Sequence, residues 1–174
     1  KTTDAGWNWR NVSDGFFEFP AIGALDVSRS DPDVIFAGTG EGLQRQFISP
    51  GNGVYKSTDG GETWTEPHPG PITSPLSPAS IETIPGTGDL IALWNDNGLD
   101  NRRTPFNVAI SKDGGASWEN VKVLEDDPDG WYAYTAIAFL GDRVLLGHVA
   151  GDRNEGKLST TQITSFDVKW LYEE

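Results

Sequence analysis

Three copies of one short pattern constrain this chain more than anything else in it. Thr2-x-Asp4-x-Gly6-x-x-Trp9, Ser57-x-Asp59-x-Gly61-x-x-Trp64 and Ser111-x-Asp113-x-Gly115-x-x-Trp118 share the form Ser/Thr-x-Asp-x-Gly-x-x-Trp. Their aspartates stand 55 and 54 residues apart, so the chain is an array of units of about 50 residues. Each copy is turn chemistry. The Asp carboxylate accepts backbone N–H groups across the turn, and Gly supplies a positive φ. The Trp opens the next strand and is expected to fold back over the turn and bury its ring.

Between the boxes, short apolar runs are punctuated by Gly, Pro, Asn and Asp, and no segment keeps a 3.6-residue apolar period. Strands are expected at 9–13, 22–27, 34–38, 53–57 and 63–66, then at 80–84, 90–94, 107–111 and 117–123. A last group follows at 134–140, 143–149 and 158–166. Each repeat then holds four strands, with the box joining the third to the fourth. This reads as an all-β propeller unit over 1–174, with three four-stranded blades. The blades cover about 14–66, 71–123, and 131–170 completed by 1–13. Propellers close with 4–8 blades. Two chains could therefore associate head to tail into a six-bladed homodimer. Alternatively, the chain is a piece of a longer propeller with exposed edges.

Composition narrows the partners. A net charge of -13 argues against nucleic acid. No run approaches the roughly 20 apolar residues of a membrane helix. With no Cys, disulfides and thiolate metal sites are excluded. The chain also lacks Met, as expected of a mature product, an excised piece or an engineered chain. Asn11-Val12-Ser13 fits a glycosylation triplet, a pattern common by chance.

The three boxes resemble the Asp-box, or BNR repeat, of sialidases and related β-propellers. In that family the box is a structural turn on the blade periphery, away from the central funnel. The run from Asp31 to Gly42, with Gly53 to Gly61, is similar to xyloglucanase-type and sortilin-type repeats. From about Ser77 onward the chain looks like bacterial sialidase-like proteins, through Ser77–Ile81, Leu90–Asp96, Arg103–Asp113 and Tyr132–Ile137. The two lineages meet in a stretch holding Pro67, Pro69, Pro71 and Pro75, which implies recombination or design.

The resemblance implies an exo-glycosidase ancestry and an extracellular or periplasmic setting. Sialidases use a Tyr nucleophile, an Asp acid and an Arg clamp on the sugar carboxylate. Tyr134 falls at the nucleophile's place, with Tyr132 two positions back on the same face of an extended chain. Asp96 or Asp100 falls near the acid, and Arg102, Arg103 and Arg153 are the clamp candidates. The family's Arg-Ile-Pro has no counterpart: Leu76-Ser77-Pro78 stands there in one blade and Phe19-Pro20 in another. His148-Val149 replaces its Tyr-Glu. Glu41 and Glu155 lie in loops that could face a funnel. The expected function is a glycan-directed, sialidase-like module without catalysis, binding saccharide or serving as an assembly scaffold. Its alternative is a sialidase-type hydrolase.

Rival readings attach to the same residues. Tyr132 and Tyr134 could be core residues, and Arg102-Arg103 a solvated turn. Asp96–Asp100 and Asp126–Gly130 cluster oxygen ligands of the kind Ca²⁺ takes, without EF-hand spacing. No metal or other cofactor is expected beyond that calcium option. His68 and His148 lack a third ligand for zinc.

Overall fold

A computed structural model describes residues 1–41, 49–75, 77–98, 100 and 102–173. Its described regular elements are strands, apart from one 3₁₀ turn at Val168–Tyr172. The chain divides into two compact units, Lys1–Pro69 and Gly70–Glu174, and the division falls inside the proline-rich stretch.

In the first unit β1 (Ile22–Val27), β2 (Ile35–Thr39) and β3 (Val54–Ser57) form an antiparallel sheet in that order. Its core is small. Phe17 meets Tyr55 and Trp64 edge to face, at 4.7 and 5.0 Å between ring centres. The strand expected at 63–66 shrinks to a single bridge, Thr65 opposite Lys56. Pro67 and Pro69 follow, and neither has an N–H to extend a ladder. Residues 9–13 form no strand either. There the Asn11 Oδ1 accepts the N–H groups of Ser13 and Asp14, a side-chain turn that competes with pairing.

The second unit has two antiparallel sheets. One runs β4 (Ser80–Thr83), β5 (Leu90–Asn95), β6 (Phe106–Ser111), β7 (Glu119–Glu125) in sequence order. The box at 111–118 joins its third strand to its fourth, as the repeat predicts. The other comprises β8 (Gly130–Leu140), β9 (Arg143–Asp152) and β10 (Thr161–Asp167), with β9 in the middle. β5 and β6 are buried almost throughout because the sheet is covered on both faces. Ile91, Leu93, Val108 and Ile110 pack there with Val144, Leu146 and Leu171. Each such side chain contributes roughly 1.5–3 kcal/mol when fully buried. The 3₁₀ turn closes the unit: Leu171 is buried and its carbonyl accepts the Asn120 amide at 3.0 Å. Ser80 at the start of β4 donates to the Thr135 carbonyl in β8 at 2.7 Å, tying the two sheets together.

Candidate functional site

The boxes are built alike around their aspartates. Ser57 Oγ donates to Asp59 Oδ1 at 2.8 Å and accepts the Gly61 N–H at 2.8 Å. The same pair of bonds runs from Ser111 to Asp113 and Gly115, and from Thr2 to Asp4 and Gly6. A position the repeat left open completes each network, the residue just before the Trp. Thr63 and Ser117 each give their N–H and their hydroxyl to the Asp carboxylate, the hydroxyls at 2.5 Å. Asn8 does the same to Asp4 with its N–H and side-chain amide, at 2.9 and 2.6 Å. These donors hold all three carboxyls down from 3.8 to about 2, chiefly through the Asn8 N–H and the Thr63 and Ser117 hydroxyls. Each Trp ring does lie over its box glycine. Burial differs: Trp64 and Trp118 are half-buried, whereas Trp9 is 74% exposed, against the expected burial. Among the described residues the Trp9 indole bonds within its own turn, to the Gly6 carbonyl, whereas that of Trp64 reaches across to the Val12 carbonyl.

A second cluster gathers at the start of β8. The Arg103 carbonyl accepts the Tyr132 N–H at 3.1 Å, and Thr104 Oγ1 donates to the Asp127 carbonyl at 2.8 Å. These bonds lay the segment before β6 along β8. The Arg103 guanidinium then stands 4.8 Å from the Trp131 ring and 5.2 Å from the Tyr134 ring. Lys157 brings a second cation to Trp131, at 4.5 Å. At such distances the ring quadrupole attracts a cation.

A bulge makes this convergence possible. β8 pairs Ala133 with Val149 and then Ala136 with Gly147, so Tyr134 and Thr135 together oppose His148. Tyr134 takes φ 56°, a left-handed conformation. An extra residue re-aims the side chains that follow it. This corrects the expectation that Tyr132 and Tyr134 share a face. Tyr134 is 50% exposed and joins Trp131 on Arg103, while Tyr132 is 6% exposed and turns into the core. Tyr132 stacks 6.0 Å from Phe106. Burial raises its phenol pKa, with help from the charges of Glu125, Asp127 and Asp126. His148 lies beneath, 4.9 Å from Phe106 and held by the Val149 carbonyl and Thr164 Oγ1.

The other expected site residues go elsewhere. Asp96 is exposed and accepts from Thr73 Oγ1 at 3.3 Å. Asp100 is exposed and pairs with Arg102 at 3.7 Å. The Arg153 N–H bonds the Asp129 carbonyl. Among the described residues no hydrogen bond or ion pair links Tyr134 to a carboxylate, and no carboxylate and histidine cluster could hold a metal. Leu76 and Gly42, part of the family reading, lie outside the described residues. Trp131 and Lys157 were missed; the aromatic run Trp131-Tyr132 at the head of a strand was the available signal for the first.

The boxes at 57–64 and 111–118 and the cluster at 103–134 all fall within residues 45–149, which match the model of the BNR repeat-like domain. The chain belongs to the BNR repeat-like family. This bears out the resemblance read from the boxes, and antiparallel all-β sheets fit the propeller architecture of BNR repeats. A search of curated proteins returns no match. Within the BNR repeat-like region the boxes brace turns, and the cluster on β8 is the candidate for recognition.

Proposed function

We propose that the chain is a glycan-directed, sialidase-like propeller module that binds an acidic saccharide without cleaving it. The observation that carries this is the Arg103 guanidinium set against the Trp131 and Tyr134 rings, with Tyr134 half exposed on a strained bulge. Aromatic faces take the apolar face of a sugar, and the fixed fork of Arg takes a carboxylate. Lys157 adds positive charge at the same ring.

Hydrolysis by the family route asks for more. The Tyr nucleophile needs a carboxylate partner and the leaving group needs an acid within reach. Here Asp96 is bonded to Thr73, and Asp100 to Arg102. The hydrolase reading keeps one observation in its favour, because strained φ values cluster at active sites. It assigns Tyr134 as nucleophile, Asp96 or Asp100 as acid, and Arg102, Arg103 and Arg153 as clamp.

Two assays separate these readings. On a glycan array the wild type is expected to bind sialylated or uronylated glycans, with Trp131→Ala, Tyr134→Ala and Arg103→Ala each weakening binding about tenfold or more. A fluorogenic sialoside should yield no fluorophore. Release that vanishes in Tyr134→Phe would establish the hydrolase instead, and an empty array with no turnover would remove both.

A further inference from the structure

A polar hollow lies within the unit Lys1–Pro69, and none of its lining residues belongs to the Arg103 cluster. It encloses about 500 Å³, within the range of small-ligand sites, and its lining includes Phe16, Glu18, Asn52, Tyr55, Glu66 and Pro67. One wall is fixed by close packing. A Cβ on Gly53, whose φ is +129°, would stand 2.9 Å from the Pro67 Cβ.

The hydrogen bonding inside the hollow is incomplete in one respect. Asn52 Nδ2 donates to Glu18 Oε2 at 3.0 Å and to the Tyr55 hydroxyl at 3.0 Å. The Glu18 N–H also donates to that hydroxyl, at 3.4 Å. The Glu18 carboxylate only accepts, which fixes the amide with Nδ2 toward it, while Asn52 Oδ1 lies 3.0 Å from Thr39 Oγ1, a hydroxyl that also faces the Gly53 carbonyl at 2.8 Å. Tyr55 Oη thus accepts twice, and a phenol has one proton to give. That proton meets no acceptor among the described residues, although Tyr55 is only 2% exposed. A buried donor without an acceptor carries a penalty that a ligand can relieve.

We infer that this hollow binds a neutral saccharide. The ligand must accept from Tyr55 and donate to the Glu18 and Glu66 carboxylates, which line the same space. A sugar hydroxyl does both. An ammonium group offers only donors and leaves Tyr55 unsatisfied, while a carboxylate or sulfate is repelled by the two glutamates. Phe16, also in the lining, is exposed and offers a ring face for stacking. A neighbouring hollow of about 700 Å³ shares Asn52, Glu66 and Pro67, so the groove extends beyond one sugar unit.

The test titrates cellotetraose, maltotetraose and mannotetraose into the full chain by calorimetry, with glucose as the short comparison. At least one tetrasaccharide should bind, and more tightly than glucose. Glu66→Gln and Tyr55→Phe should each weaken binding about tenfold. Glu66 makes no hydrogen bond among the described residues, so Glu66→Gln leaves the fold intact and reports on the ligand alone. Tyr134→Ala should leave this binding unchanged, which separates it from the Arg103 cluster. The inference is overturned if no neutral tetrasaccharide binds at millimolar concentration. It is equally overturned if Glu66→Gln binds as the wild type does, or if Tyr134→Ala abolishes the binding.

Discussion

Tyr134 and Tyr132 are two residues apart, yet their fates are opposite, and stability measurements can tell them apart. A residue with a β-carbon costs about 1–2 kcal/mol in the left-handed region that Tyr134 occupies at φ 56°. Tyr134→Gly is therefore expected to stabilise the chain by about 1 kcal/mol in urea unfolding while it weakens saccharide binding. Tyr132→Ala, emptying a core site, should cost about 3–5 kcal/mol. A destabilised Tyr134→Gly would mean that the bulge is held by packing and not strained for recognition. The pair also shows where sequence reasoning stops. A period-2 strand puts residues 132 and 134 on one face, and nothing local announces the bulge opposite His148 that parts them. The same limit hid Trp131, whose partner Arg103 lies 28 positions earlier in the chain. Tyr55 was equally illegible, since Glu18 reaches it only through the fold and Glu66 shares nothing with it but the lining of the hollow.

At the scale of the element, the boxes were legible because a turn closes its bonds within eight residues. Most strands were found to within a few residues for a similar reason, since Gly and Pro mark their ends. The two that failed, at 9–13 and 63–66, were undone by neighbours: an Asn side chain in one case and two prolines in the other. The boxes carry a pH signature. Their carboxyls fall from 3.8 to about 2 on folding, so their stabilising effect is complete above pH 3.8 and lost as pH drops through 2. Acid unfolding monitored by tryptophan fluorescence should steepen between about pH 4 and pH 2. Asp59→Asn and Asp113→Asn should each flatten that slope and lower stability at neutral pH. Thr63→Val and Ser117→Ala should shift the corresponding carboxyl upward, measurable by NMR titration. An unchanged slope in both Asp→Asn variants would place the acid sensitivity elsewhere.

For the whole molecule, the question is what covers the open edge. All six residues of β1 are exposed, with Leu25 at 66%, and β1 pairs on one side only among the described residues. An apolar edge of that kind is a template for another strand. The head-to-tail dimer expected from three repeats predicts a mass of twice 18.9 kDa by light scattering, falling to 18.9 kDa in Leu25→Lys. A monomeric wild type would remove the dimer, and a broad distribution would favour a piece of a larger ring. The cationic pair over Trp131 has a further consequence in a molecule of net charge -13. On the proposed reading, an acidic saccharide would meet repulsion at long range and attraction at contact. Added salt screens the distant field first, because the Debye length is about 8 Å at physiological ionic strength. Salt should then quicken capture even while it loosens the bound state, the reverse of electrostatic steering. A receptor built this way would be a filter that opens in brine and holds on in fresh water.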